Sequence, residues 1–334
     1  MIGGRGEGFA RKRRIEDPRR RAAWISVTTP ETTIDAAASA RDAQSGLIVG
    51  LVCYLLWGFL PVLFHVLQDV GSVTIVADRT ICSLFVVGAI LLFRNRMPEV
   101  GAALRDPQTL RSMIISSVLL AANWLIFVWA VEQNQVLEAS FGYFINPLVN
   151  VAIGMVLLGE RQNPWQWTAI AVATIAILVQ AIGIGRFPWI AVSLALTFGF
   201  YGYFRKTAKV GSASGLFVET LILVPLAAGY LIYTFIRDGG VGLHADPYHL
   251  TLLLLTGPAT AAPLLMFAYA VQRLRLTTIG MLQYLSPSIA FLLAITAFGE
   301  PINATRLLSF GLIWLSLVIY SADSFRRRGR VTAG

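Results

Sequence analysis

AANWLIFVWAV at residues 121–131 and AAPLLMFAYAV at residues 261–271 lie 140 positions apart and read as one apolar pattern written twice. The same offset lays VGS at 70–72 on VGS at 210–212 and Asp106-Pro107 on Asp246-Pro247. It also lays Pro147 on Pro287 and Gly159-Glu160 on Gly299-Glu300. Residues 70–160 against 210–300 give 17 identities over 91 ungapped pairs. Apolar low-complexity sequence produces chance matches, but not paired Asp-Pro and Gly-Glu at one offset. The chain is an internal repeat.

Composition says where the repeat lives. Hydrophobic residues make up 56% of the 334, charged residues 13%, and the mean hydropathy is +0.67. A soluble domain carries about 25% charge, so the pattern predicts an all-α integral membrane protein. Ten segments approach the roughly 20 apolar residues a spanning helix needs. They fall near 47–67, 73–93, 112–131, 137–158, 165–183, 187–204, 214–236, 249–271, 277–298 and 304–322. Lipid cannot hydrogen-bond an open sheet edge, so a helical bundle is expected.

Charge sets the orientation. With a cytoplasmic N-terminus, the tails and even-numbered loops hold 23 of the 27 basic residues. The odd-numbered loops and their flanks hold Arg186, Arg237 and Arg306, and Arg79 lies within a span. Both termini are therefore expected in the cytoplasm. Each repeat has five spans, an odd number, so the second must enter the membrane upside down. Inverted repeats of this kind are a transporter architecture, in which two halves expose a central site to each side in turn. The expected organisation is a basic disordered cytoplasmic tail over 1–45, a first repeat over 46–186, a second over 187–325, and a basic cytoplasmic tail over 326–334.

No apolar stretch follows the basic N-terminus before residue 46, so no signal peptide is expected. The tail reads as a solvated topology signal, with anionic-lipid contact through Arg11–Arg14 and Arg19–Arg21 as the alternative. The net charge of +9 sits in tails and loop ends without a nucleic-acid-binding motif, which argues against nucleic acid as a partner. Cys53 and Cys82 lie in apolar runs and read as packed thiols.

Three stretches carry a family resemblance: 123–161, GFYGYFRK at 199–206, and 257–301. The polar and proline positions of 139–161 are its most specific part. Over roughly 46–325 the chain resembles the RarD proteins, EamA-type members of the drug/metabolite transporter superfamily. The resemblance implies ten helices, two EamA repeats and an inner-membrane permease. It also brings a family label of chloramphenicol sensitivity or resistance. The chain departs from the pattern in its long basic N-terminal extension, and in Asp78, which stands where the resemblance implies a His before the Arg.

Ionisable residues at membrane depth cost about 2.5–3.5 kcal/mol on insertion scales, so they face a cavity or a partner. Arg79 is expected to bind a carboxylate or other anionic group. Its repeat mate Glu219 is expected to bind an amine or a coupling proton. Asp78 is an awkward partner for Arg79, because consecutive helix positions point about 100° apart. Asn123 and Trp124 in the third span, and Tyr143, Asn146 and Asn150 on one face of the fourth, form a second polar group, matched in the ninth span by Gln283, Tyr284 and Pro287. These either line the solute path or bond helix to helix. Trp57-Gly58 echoes Phe198-Gly199, where glycine permits close helix approach and the aromatics could stack on a flat solute. Tyr54 and Tyr201 join that set.

His65 reads as interfacial, His244 and His249 as outer-loop residues, and three scattered histidines make no metal site. Glu160 and Glu300 read as helix-boundary residues. Walker A, HExxH and GxSxG sequences are absent. Neither enzymatic activity nor a cofactor is expected. The leading expectation is a secondary permease or exporter of small organic solutes. The alternative is a membrane-embedded sensor or scaffold, with a membrane enzyme third.

Overall fold

The computed structural model describes residues 30–67, 70–133, 135–184, 187–239, 247–296 and 304–331. Arg186, His244 and Glu300 lie outside them, as do the side chains of His65 and Arg306. The described residues form twelve helical segments and no strand. In chain order they are α1 (Pro30–Val66), α2 (Ser72–Phe93), α3 (Met97–Arg105), α4 (Pro107–Glu132), α5 (Val136–Leu157) and α6 (Pro164–Ile184). Then follow α7 (Trp189–Thr207), α8 (Ser212–Asp238), α9 (Pro247–Arg273), α10 (Leu276–Gln283), α11 (Leu285–Thr296) and α12 (Ala304–Val331).

Eight stretches among the described residues are long and apolar enough to cross a membrane. They lie in α1, α2, α4, α6, α8, α9, α10 with α11, and α12. The expected spans at 137–158 and 187–204 are helical too, as α5 and α7. α7 ends on the polar residues Arg205, Lys206 and Thr207. α1 begins at Pro30 and so reaches into the stretch expected to be a disordered tail; residues 1–29 lie outside the description. Proline suits a first helical turn, and Ala36–Ala38 and Ala40 are strong helix formers.

Local chemistry explains the ends. Asp106 caps α4: its Oδ2 accepts from the Thr109 backbone N–H at 3.0 Å and from the Thr109 hydroxyl at 2.5 Å, with Pro107 as the first helical residue. Those two bonds hold the Asp106 carboxyl below its ordinary range. Asn163 and Gln166 cap α6 reciprocally, through Gln166 N–H to Asn163 Oδ1 at 2.9 Å and Asn163 N–H to Gln166 Oε1 at 3.2 Å. Gly159 ends α5 at φ +65°, where a side chain would be strained, and turns Glu160 back so that its N–H reaches the Gly154 carbonyl at 2.9 Å.

Glu160 then does more than mark a boundary. Its carboxylate accepts the Leu276 N–H at 2.5 Å, the Thr277 N–H at 3.0 Å and the Thr277 hydroxyl at 2.6 Å. An acid from the α5–α6 turn thus satisfies the exposed donors at the start of α10.

Two elements go beyond the sequence expectation. α3 is a short helix between α2 and α4 that packs on α8. It buries Val100 and Ala103, and Glu99 accepts from Arg96 Nε and Ser214 Oγ at 2.6 Å each. The Arg96 and Ser214 bonds hold the Glu99 carboxyl below its ordinary range. The expected ninth span is broken at Tyr284 into α10 and α11. Pro287, lacking an N–H, cannot bond the Gln283 carbonyl, which weakens the ladder there.

Repeat mates pack on one another: α2 on α8, α5 on α10, and α6 on α12. The α5–α10 crossing depends on Gly280, whose absent Cβ would sit 2.5 Å from the Pro147 carbonyl oxygen. Gly199 similarly admits Val149, and Gly58 admits Ile289.

Candidate functional site

Arg79 is the eighth residue of α2, about 10 Å from the helix start at 1.5 Å per residue. Its Cζ lies 4.1 Å from the Trp124 ring centroid on α4. A guanidinium over an indole face is a cation–π contact worth about 0.5–2 kcal/mol, more as water is removed. Tyr143 of α5 is close enough to interact electrostatically with Arg79, and its ring stands 6.2 Å from Phe127. Tyr143 keeps 47% of its surface exposed. Three of the residues singled out in the sequence, on three different helices, therefore meet at one place.

Glu219 lies elsewhere in its interactions. It is fully buried and 3.7 Å from Arg205 Nη1, itself fully buried. Ser116 Oγ donates to Glu219 Oε1 at 2.5 Å, and the Tyr201 hydroxyl to Oε2 at 3.4 Å. Arg205 also donates to the Ser212 carbonyl at 3.0 Å. A buried carboxylate held by a buried guanidinium and two hydroxyls is a closed network, in which each charge offsets part of the desolvation cost of the other. Sequence reasoning had counted Arg205 with the loop cations. Its signal was weak, since it stands two residues before the end of α7 beside Lys206.

The second polar group splits. Asn123 Nδ2 donates to the Leu194 carbonyl at 2.9 Å and to Thr197 Oγ1 at 3.0 Å, which ties α4 to α7. Asn150 Nδ2 donates to Gln283 Oε1 at 2.8 Å, which ties α5 to α10. Asn146 Oδ1, Asn150 Oδ1 and the hydroxyls of Tyr54 and Tyr284 are buried and make no hydrogen bond within the structure. Buried acceptors and hydroxyls of this kind are costly unless water or a ligand meets them.

The aromatics form a third set. Trp57 stands 5.5 Å from Tyr54, 5.8 Å from Phe198 and 5.8 Å from Phe267, ring centroid to ring centroid. Tyr201 stacks on Phe267 at 5.8 Å with planes 14° apart. Helices α1, α7 and α9 thus meet through a cluster of packed rings. Tyr201 joins this cluster to Glu219. Phe267 belongs with it and was not singled out from the sequence, though it is the repeat mate of Phe127. Among the described residues no group of three His, Cys, Asp or Glu could hold a metal ion.

Comparison with known proteins gives a consistent answer. Residues 44–181 match the EamA-like transporter family. The chain is 41% identical to an uncharacterized transporter of Pseudomonas aeruginosa, over 88% of this chain and 98% of that protein. It is 38% identical to protein RarD of Escherichia coli K12, over 88% and 99%. It is also 38% identical to protein RarD of Streptomyces exfoliatus, over 87% and 93%. A crystal structure at 18% identity shares the fold with TM-score 0.66, over 82% of this chain and 96% of the other. The chain is a multi-pass membrane protein of the EamA-like transporter family, in the RarD group of the drug/metabolite transporter superfamily.

Proposed function

We propose that this membrane transporter is an inner-membrane secondary permease or exporter that moves small organic solutes by alternating access. The reading has ten spans in two inverted five-helix repeats, both termini in the cytoplasm, and no cofactor. The packing of repeat mates α2 on α8, α5 on α10 and α6 on α12 supports it, because paired halves can rock about the contacts they share. The observation that carries it is Arg79 over Trp124 beside the half-exposed Tyr143, within an apolar helix. A guanidinium recognises a carboxylate or similar anionic group by paired hydrogen bonds, and Trp124 and Tyr143 offer faces for an apolar body. Amino-acid-like metabolites and their derivatives have this chemistry. Drugs are the second class, since one relative, 29% identical, is named a chloramphenicol-sensitive RarD protein of Pseudomonas aeruginosa.

The test is flux through the full chain in proteoliposomes, wild type against Arg79→Ala, with amino acids, their N-acyl derivatives and chloramphenicol followed by mass spectrometry. A solute whose movement falls at least tenfold in the variant supports the reading. Saturable binding of a solute that neither protein moves would favour a sensor.

A further inference from the structure

Asp78 precedes Arg79 on α2 but faces a different helix. The Thr256 hydroxyl on α9 donates to its Oδ2 at 3.0 Å. The Cys82 thiol, one turn along α2, is a second donor, with Sγ 3.8 Å from both Asp78 oxygens. Donors on this carboxyl suit the ionised form, which only accepts. Both donors are neutral, and among the described residues no Lys, Arg or His forms an ion pair with Asp78. The carboxylate is half-buried and about 9 Å along an apolar helix. A charge at that depth is costly unless a cation meets it.

The repeat supplies a control within the molecule. Thr256 is the mate of Ser116, and Leu253 the mate of Met113, each 140 positions on. In both halves a hydroxyl sits between the carbonyl three residues before it and a carboxylate on the facing helix. Ser116 Oγ is 3.0 Å from the Met113 carbonyl and donates to Glu219 at 2.5 Å. Thr256 Oγ1 is 2.6 Å from the Leu253 carbonyl and donates to Asp78 at 3.0 Å. The halves differ in the balancing charge. Glu219 is fully buried with Arg205 Nη1 at 3.7 Å, whereas Asp78 stays half-exposed with neutral partners. One half carries its own cation and the other does not.

We propose that Asp78 binds the ammonium group of a solute, which takes beside Asp78 the place that Arg205 fills beside Glu219. The site is held ready before the solute arrives. α9 lies against α2 one turn away, where a Cβ on Gly257 would sit 2.5 Å from the Cys82 Cβ, and Ser83 Oγ donates to the Gly257 carbonyl at 3.3 Å. That contact keeps the Thr256 donor, and with it the carboxylate, in position. Ligand count favours an ammonium over a metal ion. Calcium and magnesium take six or more oxygens, and the described side-chain oxygens that meet here are the two of Asp78 and the hydroxyl of Thr256. An ammonium has three hydrogens and is served by a single carboxylate.

This inference rests on the permease reading and narrows its solute. Arg79, the next residue, turns its guanidinium to Trp124 and is the group for a carboxylate. Opposite charges on consecutive residues fit a zwitterion, with its amine at Asp78 and its acid at Arg79. The sequence had offered the amine to Glu219, which Arg205 already neutralises.

The test measures binding, not flux, on the full chain purified in detergent. Melting temperatures are titrated with the common amino acids, each against its N-acetyl derivative, which keeps the carboxylate but has no ammonium. At least one amino acid should stabilise the wild type with an apparent affinity tenfold or more above that of its N-acetyl form. Asp78→Asn should lose this preference and Asp78→Glu should keep part of it. The wild-type comparison alone decides the matter if Asp78→Asn fails to fold. Equal response to both forms, no response to any amino acid, or a preference that survives in Asp78→Asn overturns the proposal. So does a stabilisation by sodium chloride over potassium chloride that Asp78→Asn abolishes, which would give the site to a metal ion. The expected preference without flux in proteoliposomes supports the site and counts against the permease reading alone.

Discussion

Two charged residues in one apolar run, Asp78 and Arg79, end up in different company because a helix turns about 100° between them. Arg79 goes to an aromatic face, Asp78 to a hydroxyl and a tight helix contact. Glu219 shows the third outcome, a fully paired charge. Removing one member of such a pair leaves a buried, uncompensated charge or polar group and costs about 3–5 kcal/mol, whereas replacing both by apolar residues is often neutral. Glu219→Leu and Arg205→Met should each sharply lower the melting temperature of the detergent-purified protein, and the double variant should recover most of the loss. Additive losses would show that the pair is not a closed unit.

At the scale of elements, stability rests on helices that approach too closely for a side chain. Gly280 against the Pro147 carbonyl is the clearest case, at the crossing that also carries the Asn150–Gln283 bond. Gly280→Ala must push α10 off α5 and should cost about 1–3 kcal/mol. A melting temperature within experimental error of wild type would mean that the crossing yields easily. Helix identity was largely legible in the sequence, since long apolar runs leave few alternatives in lipid. The short α3 was not, because it has only two buried residues, Val100 and Ala103, to announce it. The break at Tyr284 was signalled only by Pro287.

For the whole molecule, the 140-residue offset carried further than any single motif. It matches α2 with α8 and α5 with α10 in sequence, and the structure packs those helices together. It did not reveal which side chains would pair. Arg205 finding Glu219, and Thr256 finding Asp78, depend on helix rotation and depth, which apolar sequence leaves open. Arg79, Trp124 and Tyr143 were each legible as polar or aromatic residues on apolar helices; their meeting was not. Orientation has its own test. Gln108→Cys at the start of α4 should react with an impermeant maleimide only after cells are opened, and Tyr248→Cys at the start of α9 in intact cells. Labelling of both from one side would contradict the inverted topology.

The most direct measurement of the central claim is solute flux in proteoliposomes holding equal amounts of wild type and Arg79→Ala. The account predicts at least one anionic or zwitterionic organic solute whose flux falls tenfold or more in the variant while the fold, read by melting temperature, is kept. Undiminished flux of every transported solute through Arg79→Ala would contradict it.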